Sequence, residues 1–423
     1  MKYNKINNFE IALNVNGSDQ YTKVSYPIRY GVYSEIKTKD YIYQFNQNGE
    51  IRYITGKNGN WPNPLEWLKR TVANDWVYYS SGGYAGLYSI IGEHYYPCFS
   101  YSSNSLLRSN PFENESVKDS INSIEDLLEE ITEIKNNPLI DNETSLFLEK
   151  IVQYNKKTCA LKSHKFHTII GGRVSVLPPD SRHVDYDVIP VIISDGCLYN
   201  CGFCSVKSGQ EFCEREPDSI IDQIDNLKEF YGEDISNYNS LFIGQHDALY
   251  AKTDLIEHTA KYAYERFGFK ESNMRNSKIF MFGSVESILN KTDADFKRIN
   301  SLPFYTYINV GLESFDQETL DFLKKPLQKK LVEKAFLRMV EINRMFPNIE
   351  VTSNFIYGSN LPENHYSSIM ELLREKVKRK YNKGDVYFSY FNDGGDKGKM
   401  QREFYNIKNS SNLPAYTYLI QRL

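Results

Sequence analysis

The sequence has no long apolar run. The longest near-continuous one, around Val188 to Ile193, falls far short of the ~20 residues that a membrane-spanning helix needs. No apolar segment follows the polar start Met1-Lys2-Tyr3-Asn4-Lys5-Ile6, so a secretion signal is not expected. Charge of either sign is not in excess. The 50 Lys and Arg against 54 Asp and Glu leave a formal net charge of −4, which argues against a general pull toward nucleic acid or an anionic membrane. No repeat of fixed period and no low-complexity segment interrupts the chain, and no cysteine follows Cys213. A cytoplasmic protein is the expectation. In a reducing compartment, clustered thiols are metal ligands or catalysts more often than disulfides.

What is present suits a globular enzyme. Of 423 residues, 41% are hydrophobic and 25% charged, enough apolar side chain for a normal core. Residues 1 to about 115 read as short strands and turns. Tyr41–Phe45 and Ile51–Ile54 flank the turn Asn46-Gln47-Asn48-Gly49, whereas Asn63-Pro64 looks like the start of a helix over 65–72. Gly82-Gly83 breaks that pattern. Ile121, Ile124, Leu127, Leu128 and Ile131 then follow helical spacing, with Ser123 and Asp126 as a possible capping box, and a second helix carries Leu146, Leu148, Ile151 and Val152. Pro178-Pro179 marks an expected boundary.

Beyond it the rhythm changes. Strand-like runs at 188–193, 240–244, 278–282, 306–312, 351–357 and 386–390 alternate with helical patterns. Six strands separated by helices imply βαβ units and a parallel sheet. The expected fold is α/β: a partial (β/α)6 TIM-like barrel over 181–395, an N-terminal α+β domain over 1–180 and a C-terminal extension over 396–423. Part of the first domain, rich in aromatics between Trp61 and Tyr96, is expected to cover the barrel mouth.

The first barrel strand runs into Ser194-Asp195-Gly196-Cys197-Leu198-Tyr199-Asn200-Cys201-Gly202-Phe203-Cys204. Three cysteines in one loop, at the end of a barrel strand where such folds keep their chemistry, can each take one iron of a [4Fe–4S] cube and leave the fourth iron open. A zinc knuckle would want a fourth Cys or His nearby. This CxxxCxxC motif, with Phe203 before its last cysteine, resembles the radical S-adenosylmethionine superfamily, and the resemblance extends over about 185–395. It is closest in character to the elongator-like and coproporphyrinogen-oxidase-like branch.

The resemblance implies two cofactors, a [4Fe–4S] cluster on Cys197, Cys201 and Cys204 and S-adenosylmethionine on the fourth iron. One electron from the cluster would cleave S-adenosylmethionine to a 5′-deoxyadenosyl radical that takes hydrogen from a substrate. Phe203 would then lie near the adenine. Gly244-Gln245-His246-Asp247-Ala248-Leu249 looks like a variant of the segment that meets the methionine end: Gly244 and Gln245 would contact the cofactor, and His246 and Asp247 are the candidates for catalysis. Ser284 falls at the third strand end, with helix capping as its ordinary alternative. Gly311-Leu312-Glu313-Ser314 looks like the ribose-binding segment, so Glu313 and Ser314 would be cofactor contacts, with an ion pair to a barrel lysine as the alternative for Glu313. Ser353 and Asn354 would contact the cofactor from the fifth strand.

A low-potential donor such as flavodoxin or ferredoxin and a small-molecule or peptide substrate are the expected partners. The basic runs 324–330 and 376–380 read as solvated faces rather than a nucleic-acid groove. RNA modification is the second reading, and a non-catalytic iron–sulfur or zinc module the third. The first 180 residues lack the Asp-x-His-x-x-Gly pattern of a cobalamin-binding domain. Cys98, Cys159 and Cys213 are expected to be isolated thiols rather than ligands of a second cluster.

Overall fold

A computed structural model describes residues 2–21, 28–57, 59, 61, 62, 64, 66–79, 97–99, 111–138, 140–199, 201–204, 209–377, 383–391, 397–418 and 423. Residues 2–99 contain an antiparallel meander of eight strands in chain order: β1 (Lys2–Ile6), β2 (Phe9–Asn16), β3 (Val32–Lys37), β4 (Tyr41–Phe45), β5 (Ile51–Gly56), β6 (Trp67–Arg70), β7 (Trp76–Tyr79) and β8 (Pro97–Phe99). The helices α1 (Glu115–Ile134), α2 (Asn142–Ile151) and α3 (Lys156–Ile170) follow.

Strand alternation turns Ile11, Leu13, Ile36, Tyr43 and Ile54 into one core with Val117, Leu127, Ile131 and Leu148 from α1 and α2. Two local expectations are corrected. Trp67–Arg70 is a strand paired to Trp76–Tyr79, not a helix, because ladder partners outweigh the local cap signal. The helix at Ile121 starts at Glu115 with Asn114 as its cap. Ser123 sits mid-helix against the Tyr43 hydroxyl, 2.7 Å away. Gly82-Gly83 lies outside the described residues.

The second layer is a parallel sheet that begins with β9 (Ile189–Val191). A two-strand ribbon follows it, β10 (Ser194–Asp195) against β11 (Cys213–Glu214). The sheet continues through β12 (Ser240–Ile243), β13 (Lys278–Gly283), β14 (Tyr305–Glu313), β15 (Ile349–Tyr357), β16 (Val386–Tyr390) and β17 (Ala415–Tyr418), each parallel to its predecessor. The helices α4 (Pro217–Tyr231), α5 (Thr253–Phe267), α6 (Val285–Asn290), α7 (Asp293–Asn300), α8 (Gln317–Phe322), α9 (Lys329–Met345), α10 (His365–Glu375) and α11 (Lys397–Ser410) lie between and beyond these strands.

With β9 and β17 at its two edges the sheet is a partial barrel. It has seven strands where six were expected, because α11 and β17 of the C-terminal stretch add one more.

Asp180 and Ser181 lie in a short 3-10 helix, Pro179–Val184, that is buried in the base of this barrel. The Thr352 hydroxyl donates to Asp180 at 2.6 Å and the Tyr387 hydroxyl at 2.8 Å. Arg182 donates to Asp385 at 2.6 Å, and His183 stacks on Tyr307. The expected boundary at Pro178-Pro179 is therefore the start of a plug, not a free linker.

Beside the plug, the first sheet meets segments that lead into β9 and β12. Arg52 and Lys69 pair with Asp187 at 2.8 and 2.9 Å, Asn46 donates to Asp234 at 3.0 Å, and Val32 and Asn237 exchange two hydrogen bonds. These contacts are at the base of the barrel, opposite the mouth. Trp61, Trp67 and Tyr78 fill hydrophobic cores, and residues 80–96, the rest of the expected cover, lie outside the described residues.

Candidate active site

The cysteine loop leaves the mouth between β10 and β11. Asp195 receives two hydrogen bonds from Arg215, at 2.7 and 2.6 Å, and Arg215 also donates to the Ile170 carbonyl at the end of α3. Next comes Gly196 at φ 77°, where a Cβ would lie 1.9 Å from the Glu211 carbonyl oxygen. Only glycine fits that turn. Cys197 N–H then donates to the Gln210 carbonyl at 3.2 Å, which closes the root of the loop.

Cys201 is buried, Cys197 and Cys204 are half-buried, and all three are free thiols. Burial pushes the Cys201 thiol up to about 11 and raises that of Cys197, while the Lys325 cation pulls both the other way. The thiols also feel one another electrostatically, so they share one neighbourhood. Among the described residues no three His, Cys, Asp or Glu side chains converge as a single ion would require. A cubane does not require that: each thiolate binds a different iron, so three ligands spread around the cluster.

The donor set fits a [4Fe–4S] cluster with one iron left open: soft thiols, and no fourth protein ligand among the described residues. Cys213 is exposed in β11, with its thiol directed to the Glu214 carbonyl, and Cys159 is buried against the Tyr154 carbonyl. The Cys98 side chain lies outside the described residues. Phe203 is half-buried within the loop.

The end of β12 faces this loop. Gly244 takes φ 74° and donates to the Val191 carbonyl at 3.0 Å; a Cβ there would meet Ala248 at 2.7 Å. Gln245 and His246 are half-buried. Burial lowers the His246 pKa against the opposing charge of Asp195, which favours a neutral ring. Asp247 is buried with neither carboxylate oxygen hydrogen-bonded. Burial pushes its carboxyl up to about 6, although the nearby Ser284 and Ser287 hydroxyls act in the opposite sense.

Those two serines are committed to each other. Ser284 caps α6 in a reciprocal box, with Ser284 N–H on Ser287 Oγ at 2.7 Å and Ser287 N–H on Ser284 Oγ at 3.0 Å. The capping alternative therefore describes Ser284. Tyr199, which the sequence did not single out, places a buried, unpartnered hydroxyl beside this cap.

On β14 a bulge between Gly311 and Glu313 breaks the register with β15, and Glu313 takes φ 65°. Its carboxylate pairs with Lys325 Nζ at 3.1 Å, both side chains being buried. The ion-pair alternative is thus realised for Glu313. Ser314 Oγ lies 2.9 Å from His365 Nδ1, and His365 Nε2 lies 2.9 Å from the Ile356 carbonyl. A carbonyl only accepts, so Nε2 carries the hydrogen and the Ser314 hydroxyl donates to Nδ1. His365 was not anticipated either; it locks the ends of β14 and β15 together.

On β15 the pleat separates the two expected contacts. Thr352 reaches the plug inside the barrel, so Asn354 shares that interior face, whereas Ser353 points to the opposite one. Asn309 Oδ1 and Asn354 Oδ1 are buried without hydrogen-bond partners. Together with Asp247 and Tyr199 they leave polar groups unsatisfied on the barrel wall and in the mouth, as expected of a site that takes a polar ligand.

Residues 191–373 match the family model described as the Radical SAM superfamily. This stretch of the chain is a radical S-adenosylmethionine domain, and enzymes of that superfamily cleave S-adenosylmethionine with an iron–sulfur cluster. No curated protein matches the chain.

Among solved structures it is similar to the cobalamin-dependent S-adenosylmethionine radical enzyme OxsB at 14% identity and a TM-score of 0.35, covering 51% of this chain and 29% of that one. It is similar to a radical SAM methyltransferase from Sphaerobacter thermophilus at 13% identity and 0.37, covering 55% and 67%. For the coproporphyrinogen III oxidase HemN of Escherichia coli the figures are 14% and 0.35, covering 59% and 51%.

Proposed function

We propose that this chain is a radical S-adenosylmethionine enzyme whose [4Fe–4S] cluster is held by Cys197, Cys201 and Cys204, and that its substrate is a small metabolite or a peptide. When bound, the cluster and S-adenosylmethionine together supply a 5′-deoxyadenosyl radical that abstracts hydrogen. The observation that carries this reading is the set of three free thiols, Cys197, Cys201 and Cys204, in one loop that follows the first strand of a parallel barrel sheet.

The chain's own groups have distinct roles in this scheme. Arg215 and Gly196 fix the root of the loop that presents the thiols. Phe203 and Asn354 would contact S-adenosylmethionine, and Gly244, at φ 74°, would let the backbone after β12 approach it. Asp247, with its carboxyl near 6, holds or releases a proton close to neutral pH, as a group acting on substrate should. His246 beside it is a neutral hydrogen-bonding partner. The electron comes from a low-potential carrier such as flavodoxin or ferredoxin.

The test is formation of 5′-deoxyadenosine. Anaerobically reconstituted protein, reduced with dithionite and given S-adenosylmethionine, should release it. The variant with Cys197, Cys201 and Cys204 all changed to Ala should not. Equal release by both would overturn the proposal.

A further inference from the structure

Lys325 is a charge placed where burial makes it costly. Its side chain is 5% exposed, and removing an ammonium from water is unfavourable before any partner compensates. An apolar residue could occupy the position without that cost. The ammonium donates to the Gly311 carbonyl at 2.7 Å and to Glu313 at 3.1 Å. It also lies 5.7 Å from the centroid of the Tyr199 ring, within the cysteine loop. The preceding residue, Lys324, packs its aliphatic stem so closely on Gly202 that a Cβ there would lie 2.9 Å from it. The turn after α8 therefore lies directly against the loop between Cys201 and Cys204.

The ammonium is the end of the pair that meets the cysteine loop, at the Tyr199 ring, whereas the Glu313 carboxylate lies over Gly311. Reduction of a thiolate-bound cluster adds negative charge, and a fixed cation nearby favours the more negative state.

We propose that Lys325, held in place by Glu313 and the Gly311 carbonyl, is a positioning residue whose buried positive charge beneath the cysteine loop makes the cluster easier to reduce. Glu313 is then the brake on that effect as well as its anchor. This inference rests on the cluster assignment above. The two fail differently: wild-type protein that takes up no iron overturns the assignment, whereas an iron-loaded protein indifferent to Lys325 overturns only this inference.

The experiment is a dye-mediated potentiometric titration of the reconstituted full chain, followed by electron paramagnetic resonance without S-adenosylmethionine. Lys325→Met should shift the reduction equilibrium about tenfold toward the oxidised cluster, a midpoint about 59 mV more negative for one electron. Glu313→Gln should shift it the other way, and Lys325→Arg should stay near wild type. If the methionine variant fails to load iron, Glu313→Gln and Lys325→Arg still decide the matter by sign. A Lys325→Met midpoint equal to wild type, or Lys325→Met and Glu313→Gln shifts of the same sign, overturns the inference. So does a methionine variant that loses only affinity for S-adenosylmethionine, since Lys325 would then be a cofactor ligand.

Discussion

Arg215 grips Asp195 through two parallel hydrogen bonds of 2.7 and 2.6 Å, and Asp195 lies two residues before Cys197. The same guanidinium reaches the Ile170 carbonyl at the end of α3. A single arginine thus ties the root of the cysteine loop to a helix that precedes the barrel. Arg215→Met should leave the fold intact at a cost of about 1–2 kcal/mol, yet loosen the loop. Iron retained after gel filtration should fall below the wild-type content. Unchanged retention under competition from a chelator would show that the ribbon β10–β11 alone suffices.

Gly196 gives a sharper local test. Its φ of 77° and the 1.9 Å approach of the Glu211 carbonyl leave no room for a methyl group. Gly196→Ala should abolish most iron binding while the thermal midpoint of the iron-free protein moves by only a few degrees. Normal iron loading would mean that the loop can close by another path.

Asp247 should trade stability against function. Its folded carboxyl titrates near 6, raised by burial, against about 3.9 in an unfolded chain. The folded state therefore binds the proton more tightly. The group's contribution to stability is fully present below about 4 and is lost as pH rises through 6. Asp247→Asn removes that loss and should stabilise the iron-free protein by up to about 3 kcal/mol at pH 8, with no gain from this source at pH 4. Denaturant melts at the two pH values read the difference. The same variant should turn over substrate poorly, since it can no longer exchange a proton.

His365 should behave with the opposite sign. Burial lowers its pKa to about 4, so below about 6.5 the unfolded chain takes up a proton that the folded one refuses. Stability from this group is complete at neutral pH and is lost as pH falls from 6.5 toward 4, by up to about 3 kcal/mol. His365→Asn should lack that acid-dependent component. It should also cost about 1–2 kcal/mol at pH 7, because Ser314 and the Ile356 carbonyl lose their partner. A variant with the full wild-type acid dependence would place the titration elsewhere.

Much of the barrel was legible because buried parallel strands are continuous apolar runs. Ser240–Ile243 and Val386–Tyr390 lie where the pattern put them. β17 was not legible. Ala415-Tyr416-Thr417-Tyr418 is four residues of mixed polarity on a sheet edge, and only its ladder with β16 makes it a strand. β6 was misread because Asn63-Pro64 imitates a helix start, while the pairing of Trp67 with Tyr79 lies outside any local window.

At the site, the three cysteines were singled out by their spacing, and His246 and Asp247 by the segment that follows the second barrel strand. Glu313 did not reveal its partner, because the lysine that holds it is supplied by the turn after α8. The opposed directions of Ser353 and Asn354 were readable from the two-residue period of a strand, once one of their neighbours was known to face the plug. Tyr199 carried the weaker signal of an aromatic inside the cysteine loop.

The central claim is that Cys197, Cys201 and Cys204 hold a single [4Fe–4S] cluster. Iron and sulfide analysis of anaerobically reconstituted protein, beside the variant in which all three are Ala, tests it most directly. The wild type should hold about four irons per chain and the triple variant almost none. Full iron content in the triple variant would contradict the assignment and, with it, the proposed chemistry.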